Sequence, residues 1–183
     1  MMLQKIVLIN IMVLVLLLGC TCKKIATEDD KLSLLKTPYT GNQLKINGYY
    51  YNKWGDPESM TIYFLYSNGV ILHGDDPYLS RISEYGKKYS NGEFYNYAKD
   101  YKISWGVFQI DGDKIAFERW YPSSGGPTHA YVRAGKILND TTFQITESYR
   151  MQGGNKTEVS VKDEVYHFKK FSPKPDSVNV FVP

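Results

Sequence analysis

From Leu44 onward, apolar and polar positions alternate in short runs separated by turn residues. The runs are Lys45–Asn52, Met60–Ser67, Val70–His73, Tyr101–Ile110, Lys114–Tyr121, His129–Leu138, Thr141–Arg150 and Val161–Phe171. Met60, Ile62, Phe64 and Tyr66 fall on one face of their run, and so do Ile103, Trp105 and Val107, and Phe143, Ile145 and Tyr149. A period of two predicts strands with one dry and one wet face. Asn68-Gly69, Asp111-Gly112-Asp113 and Asn139-Asp140 predict three tight hairpins, because Asn, Asp and Gly tolerate the positive φ of such turns. The pattern therefore predicts an all-β domain of eight antiparallel strands. Joined in order, they close most economically into an up-and-down barrel, which leaves no exposed edge. The interior of such a barrel is filled by side chains or holds one small ligand.

One segment departs from the meander. In Asp75–Asp100, Pro77 suits the first turn of a helix, and Leu79, Ile82 and Tyr85 have helical spacing. Gly86 and Ser90-Asn91-Gly92 interrupt it, which predicts a short helical insertion over a barrel end or flank. Residues 20–43 are polar, lack a sustained period and predict a tether, with Leu32, Leu34 and Leu35 as a short turn packed on the domain. The barrel domain is then 44–172 and the C-terminal tail 173–183.

The start of the chain has a different pattern. Lys5 precedes an apolar run, Ile6–Leu18, broken only by Asn10. The run is shorter than the ~20 residues that cross a bilayer and fits a cleaved signal peptide over 1–19. Leu17-Leu18-Gly19-Cys20 resembles the lipobox of bacterial lipoproteins. The resemblance implies that Cys20 becomes the first mature residue, with a diacylglyceryl group on its thiol and a further acyl chain, such as palmitate, on its amine. Two or more chains hold a protein on a membrane where one does so only marginally. The expectation is a lipid-anchored protein of the bacterial cell envelope. Thr21 does not suggest inner-membrane retention by the enterobacterial rule, so the expected location is the outer membrane.

Charge and cysteine usage exclude several classes. Residues 1–19 hold one of the 22 basic side chains and none of the 19 acidic ones, so the rest carries +2. That balance gives no electrostatic footprint for nucleic acid. With Cys20 lipidated, Cys22 stands alone and no disulfide framework is possible. Sixteen Tyr, eight Phe and three Trp favour strands and also suit a binding surface.

The order of elements resembles small lipocalin-like (calycin-type) lipoproteins of the Bacteroidota over roughly residues 44–181. The residues that carry the resemblance are Lys45-Ile46-Asn47-Gly48-Tyr49-Tyr50-Tyr51, Trp105-Gly106-Val107-Phe108, Ile137-Leu138-Asn139-Asp140-Thr141-Thr142-Phe143 and the tail Pro173–Phe181. Gly48-Tyr49-Tyr50 has Tyr where lipocalins have Gly-x-Trp, and Lys169 and Lys170 stand near their conserved Arg position. The resemblance implies a barrel and no particular activity.

No catalytic motif, cofactor motif or metal cluster stands out. His73, His129 and His167 are far apart in sequence, and His73-Gly74-Asp75-Asp76 reads either as a cation site at a barrel rim or as a turn. Glu118 and Glu147 are strand carboxylates that would support glycoside hydrolysis only if both faced the lumen. Trp120-Tyr121-Pro122 through Pro127 and Trp54-Gly55-Asp56-Pro57 are aromatic-rooted loops at one barrel end. Their rings either stack on a ligand or plug the end. The expected function is non-catalytic binding of a small apolar or amphipathic ligand at the barrel mouth through Trp54, Trp105, Trp120 and Tyr121. The alternatives are a module that docks a protein or glycan, with the Tyr-rich stretch Tyr85–Tyr101 as one candidate surface, and a hydrolase.

Overall fold

A computed structural model describes residues 28–54, 60–74 and 100–183. Eight strands follow one another: β1 Gly48–Lys53, β2 Met60–Leu65, β3 Val70–His73, β4 Trp105–Asp111, β5 Lys114–Tyr121, β6 His129–Asn139, β7 Thr142–Gln152 and β8 Asn155–Lys170. Each pairs antiparallel with the next, and β8 returns to β1 through Tyr50↔Phe168, so the sheet closes in strict sequence order. The up-and-down barrel expected from the alternation is the fold. Among the described residues helix is confined to Asp100 and one 3₁₀ turn, Lys102–Ser104, just before β4. The helical insertion expected over 75–100 lies, but for Asp100, outside the described residues, as do residues 1–19, where a signal peptide is expected, Cys20 and Cys22.

Contacts between non-neighbouring strands identify the lumen. Tyr63 of β2 meets Phe117 of β5 at 4.7 Å between ring centroids and Tyr166 of β8 at 5.4 Å. Tyr166 stacks on Phe143 at 4.9 Å. With Tyr50, Leu65, Ile71, Phe108, Ile115 and Ile145 they fill one half of the interior. Aromatic rings supply the volume that closes a narrow barrel, so this half is a packed core and not a cavity.

The outward faces of β1–β5 are dry as well, against the expectation of a wet face. Met60, Ile62, Phe64, Val70, Leu72, Trp105, Val107 and Trp120 form a second core on the outside of the wall. The chain's own ends cover it: Leu32 and Leu34 from the N-terminal side, Phe171, Phe181 and Val182 from the C-terminal side. Residues 28–43 are thus a strap laid on the barrel and not a free tether. Leu32 and Leu34 pack as expected, while Leu35 is exposed. The apolar sets visible in the sequence at 60–66 and 103–107 are this outer core; the lumen is built by the alternate positions.

The strap is held by its backbone groups. Asp30 N–H donates to the Thr128 carbonyl at 3.0 Å, and the Asp30 carbonyl accepts from Trp120 Nε1 at 2.6 Å. Further on, Tyr39 N–H donates to the Ser67 carbonyl at 2.8 Å. Tyr39 then packs on Phe108 at 5.8 Å and, with Leu44 and Ile46, seals the barrel end that carries the β2–β3, β4–β5 and β6–β7 turns.

Candidate functional site

The strand order puts the opposite end at the β1–β2, β3–β4, β5–β6 and β7–β8 connections. There the lumen changes character. Register fixes which residues enter it: Phe117 faces inward, so Arg119 and Tyr121, two and four positions on, do too. Their β6 partners are Arg133 opposite Phe117 and Tyr131 opposite Arg119. His73 lies opposite Tyr63, and Glu164 opposite Ile145. Above the aromatic plug the interior therefore carries two guanidiniums, an imidazole, a carboxylate and phenols.

Arg119 is only 7% exposed. Its Nη1 donates to the carbonyls of Ile103 at 3.1 Å and Trp120 at 3.2 Å, and its Nη2 lies 3.4 Å from His73 Nε2. The Tyr121 ring lies beneath the guanidinium at 3.8 Å, a cation–π contact. Burial, and then the charges of Arg119 and Arg133, hold the His73 imidazole well below its ordinary pKa. A neutral ring can accept from Arg119 at Nε2. Burial pushes the Tyr121 and Tyr166 hydroxyls above the usual phenol range, so both are protonated donors at neutral pH.

Arg133 pairs with the Glu164 carboxylate, and Tyr166 donates to the same carboxylate at 2.9 Å. Two clefts open beside Arg133. One, about 230 Å³, is lined by Tyr121, Tyr131, Arg133, Ser148 and Lys162. The other, about 220 Å³, is lined by Asn52, Trp54, Thr61, Arg133 and Glu164. Larger grooves exist elsewhere on the described surface, but they lie under the strap or on the outer wall and meet none of these lumen charges.

The four aromatic residues expected to bind ligand separate into two groups. Trp54, 56% exposed, and Tyr121 stand at the mouth clefts. Trp105 and Trp120 do not. Both belong to the outer core, Trp120 is 4% exposed, and its indole N–H is committed to Asp30. The odd–even phase of β5 decides this: Trp120 sits between the inward Arg119 and Tyr121. Trp54 and Trp120 share a barrel end but lie on opposite sides of its wall, so they cannot bracket one ligand.

The carboxylates considered for hydrolysis are also on the outside. Glu118 accepts hydrogen bonds from the N–H groups of Ser33 at 2.6 Å and Leu34 at 2.7 Å. Burial pushes its carboxyl up, against the pull of those N–H groups. Glu147 pairs with Lys156 at 2.6 Å. The two do not face each other across the lumen. Asp75 and Asp76, the potential cation ligands beside His73, lie outside the described residues. Arg119, Arg133, Lys162 and Glu164 were not singled out by sequence reasoning. The available signal was an Arg in phase with apolar residues, as in Ile115, Phe117, Arg119 and again in Arg133, Gly135, Ile137.

Compared with known proteins, the chain matches no family model, no curated protein and no solved structure.

Proposed function

We propose that this protein is a lipid-anchored protein of the bacterial envelope that binds a small amphipathic ligand at the open mouth of a lipocalin-like barrel, without turnover. The observation that carries the reading is the division of the lumen. One half is filled by packed aromatic and aliphatic side chains, while the other offers charged and phenolic groups beside two clefts that share Arg133. A polar layer at the open end of a barrel is costly to build and is useful where it orients a ligand. The clefts admit a head group, and the aromatic half below leaves no room for a long tail. The rest of the ligand therefore leans out past Trp54 and Tyr121. Anchoring through Cys20 supports the reading, because it would keep the mouth close to a source of amphiphiles. The test is native mass spectrometry of the protein extracted from membranes in a nonionic detergent. A bound small molecule, lost when Arg133 and Glu164 are both replaced by Gln, is the expected result. A protein free of ligand that also fails to take up any added amphiphile would overturn the reading.

A second reading, docking of a protein partner, is supported by the β7–β8 hairpin. Among the described residues β8 pairs with β1 over His167–Lys170 alone, and Val161, 89% exposed, lies in the stretch before it. An open strand edge with an apolar side chain is the usual footing for strand addition.

A further inference from the structure

We infer that the mouth is an oxyanion site: Arg119 and Arg133 together receive the carboxylate or phosphate group of the ligand. The inference rests on the binding function proposed above and names the chemistry of the head group.

Arg119 is a permanent charge, because a guanidinium does not lose its proton in a protein. It is buried, yet no carboxylate pairs with it among the described residues; its partners are two carbonyls and the His73 ring. A buried charge is tolerated when a counter-ion and hydrogen bonds replace its water, and here only part of the second condition is met. The Nε atoms of both Arg119 and Arg133 are buried and have no hydrogen-bond partner. These are donors, and they lie at the barrel end that carries the two clefts beside Arg133.

The charge balance points the same way. Arg133 and Lys162 line the clefts, Arg119 lies in the lumen against the Tyr121 ring, and Glu164 is the carboxylate among these described groups, already engaged by Arg133 and Tyr166. The two guanidiniums are close enough for each to act on His73, which answers as a neutral ring and adds no charge of its own. An anion between them would remove their mutual repulsion and take the free Nε–H groups. Guanidinium forks match carboxylate and phosphate oxygens in both charge and spacing. The Tyr121 ring under Arg119 holds that fork in place before the ligand arrives. A neutral head group, such as an alcohol or amide, would leave the charge of Arg119 uncompensated.

The experiment uses the full chain in phosphatidylcholine nanodiscs at constant ionic strength, with calorimetric titration of octanoate, octyl phosphate, inorganic phosphate and octanol. The expected order is binding of the octyl anions with at least tenfold preference over octanol. Comparable binding of inorganic phosphate and octyl phosphate would identify a free anion as the ligand; binding of the octyl compounds alone would identify the acidic head of an amphiphile. Arg119→Met and the double variant Arg133→Gln with Glu164→Gln should each weaken anion binding at least tenfold. Arg133→Lys, which keeps the charge, guards against an effect of misfolding and should retain more affinity than the double variant, with the wild-type circular dichroism spectrum. Equal binding of octanol and octanoate, unmoved by these substitutions, would overturn the oxyanion site and leave the binding function standing. Failure of every probe to bind, in a protein that also carries no co-purified molecule, would overturn both.

Discussion

Asp30 and Arg150 meet through two hydrogen bonds of 2.7 Å each, Nε to Oδ2 and Nη2 to Oδ1. This planar, bidentate pair joins the N-terminal strap to β7 across 120 residues of sequence. Asp30 Oδ2 also accepts the Ala130 N–H at 3.0 Å, so one carboxylate ties the strap to two strands. Charge-assisted bonds of this geometry are worth more than ordinary ones, about 1.5–3 kcal/mol. Asp30→Asn should therefore lower unfolding stability by about that amount and raise hydrogen exchange at Ala130 and Thr128. Unchanged exchange at both amides would show that the strap is held elsewhere.

The same contacts make the strap sensitive to acid. The Lys102 ammonium, followed by the Thr128 N–H, lowers the Asp29 carboxyl to about 2, and Arg150 lowers that of Asp30. Both native values lie below those of the unfolded chain, so the unfolded state binds more protons in this range. Their stabilisation is complete above about pH 4 and is lost as pH falls towards 2. Asp29 is largely solvent-accessible, so its share is small, and Asp30 carries most of the effect. Hydrogen exchange of residues 28–34 should rise between pH 4 and pH 2 in the wild type, and the rise should shrink in Asp30→Asn. A pH-independent strap would refute the assignment.

Much of the barrel was legible because hairpin turns are local chemistry. Asn68-Gly69, Gly112-Asp113 and Asn139-Asp140 each sit at an observed turn, and β3 and β5 have the expected bounds. The start of β8 was not legible. Gly153 and Gly154, at φ 56° and 83°, turn β7 into it, but Asn155–Ser160 is largely exposed and so shows no alternation. Tyr149 left the face of Phe143 and Ile145 because a bulge after Ile145 shifts the phase, and it pairs with Val132 on the outer face. The inward and outward faces of β2 and β4 could not be told apart by hydropathy, since the strap and tail make both dry. The candidate site was hidden for the same reason: its charges are single residues in apolar phase, and their meeting depends on closure of β5, β6 and β8 around the lumen.

Cys20 is expected to carry the anchor. The expectation rests on Leu17-Leu18-Gly19-Cys20, which resembles a cleavage and acylation signal. Cys20→Ser should stop processing at 1–19 and remove the acyl chains, read as a heavier precursor without diacylglyceryl by intact-mass spectrometry. Normal maturation and normal partition into membranes in this variant would dismiss the lipobox.

Gly69 is required for two separate reasons. Its φ is +82°, which a β-branched residue adopts only under strain, and a Cβ there would come within 2.3 Å of the Thr37 carbonyl oxygen. Gly69→Val should thus disturb both the β2–β3 hairpin and the strap lying on it, at a cost of about 1–3 kcal/mol. Gly112, also at positive φ, has open space around it, so Gly112→Val tests strain without the clash. Gly69→Val should be the more destabilising of the two in urea unfolding. Equal losses would mean that the strap yields freely at Thr37.

Trp54 and Trp120 should behave as opposites. Trp120 is sealed between the outer wall and the strap, with its N–H bound to the Asp30 carbonyl and the Lys102 ammonium 4.4 Å above its ring. Truncating a buried indole removes its packing and leaves a carbonyl unpaired, so Trp120→Ala should destabilise the domain by about 3–5 kcal/mol. Trp54 stands free at the end of β1 beside the cleft of Arg133, and an exposed residue of this kind changes stability by no more than about 0.5 kcal/mol. Trp54→Ala should keep the wild-type melting temperature while weakening octanoate binding several-fold, because the indole is the apolar surface nearest the clefted head group. Trp105, on the outer wall, should follow Trp120 and not Trp54. A Trp54→Ala protein with lowered stability and unaltered binding would reverse the roles assigned to the two rings and move the ligand away from this mouth.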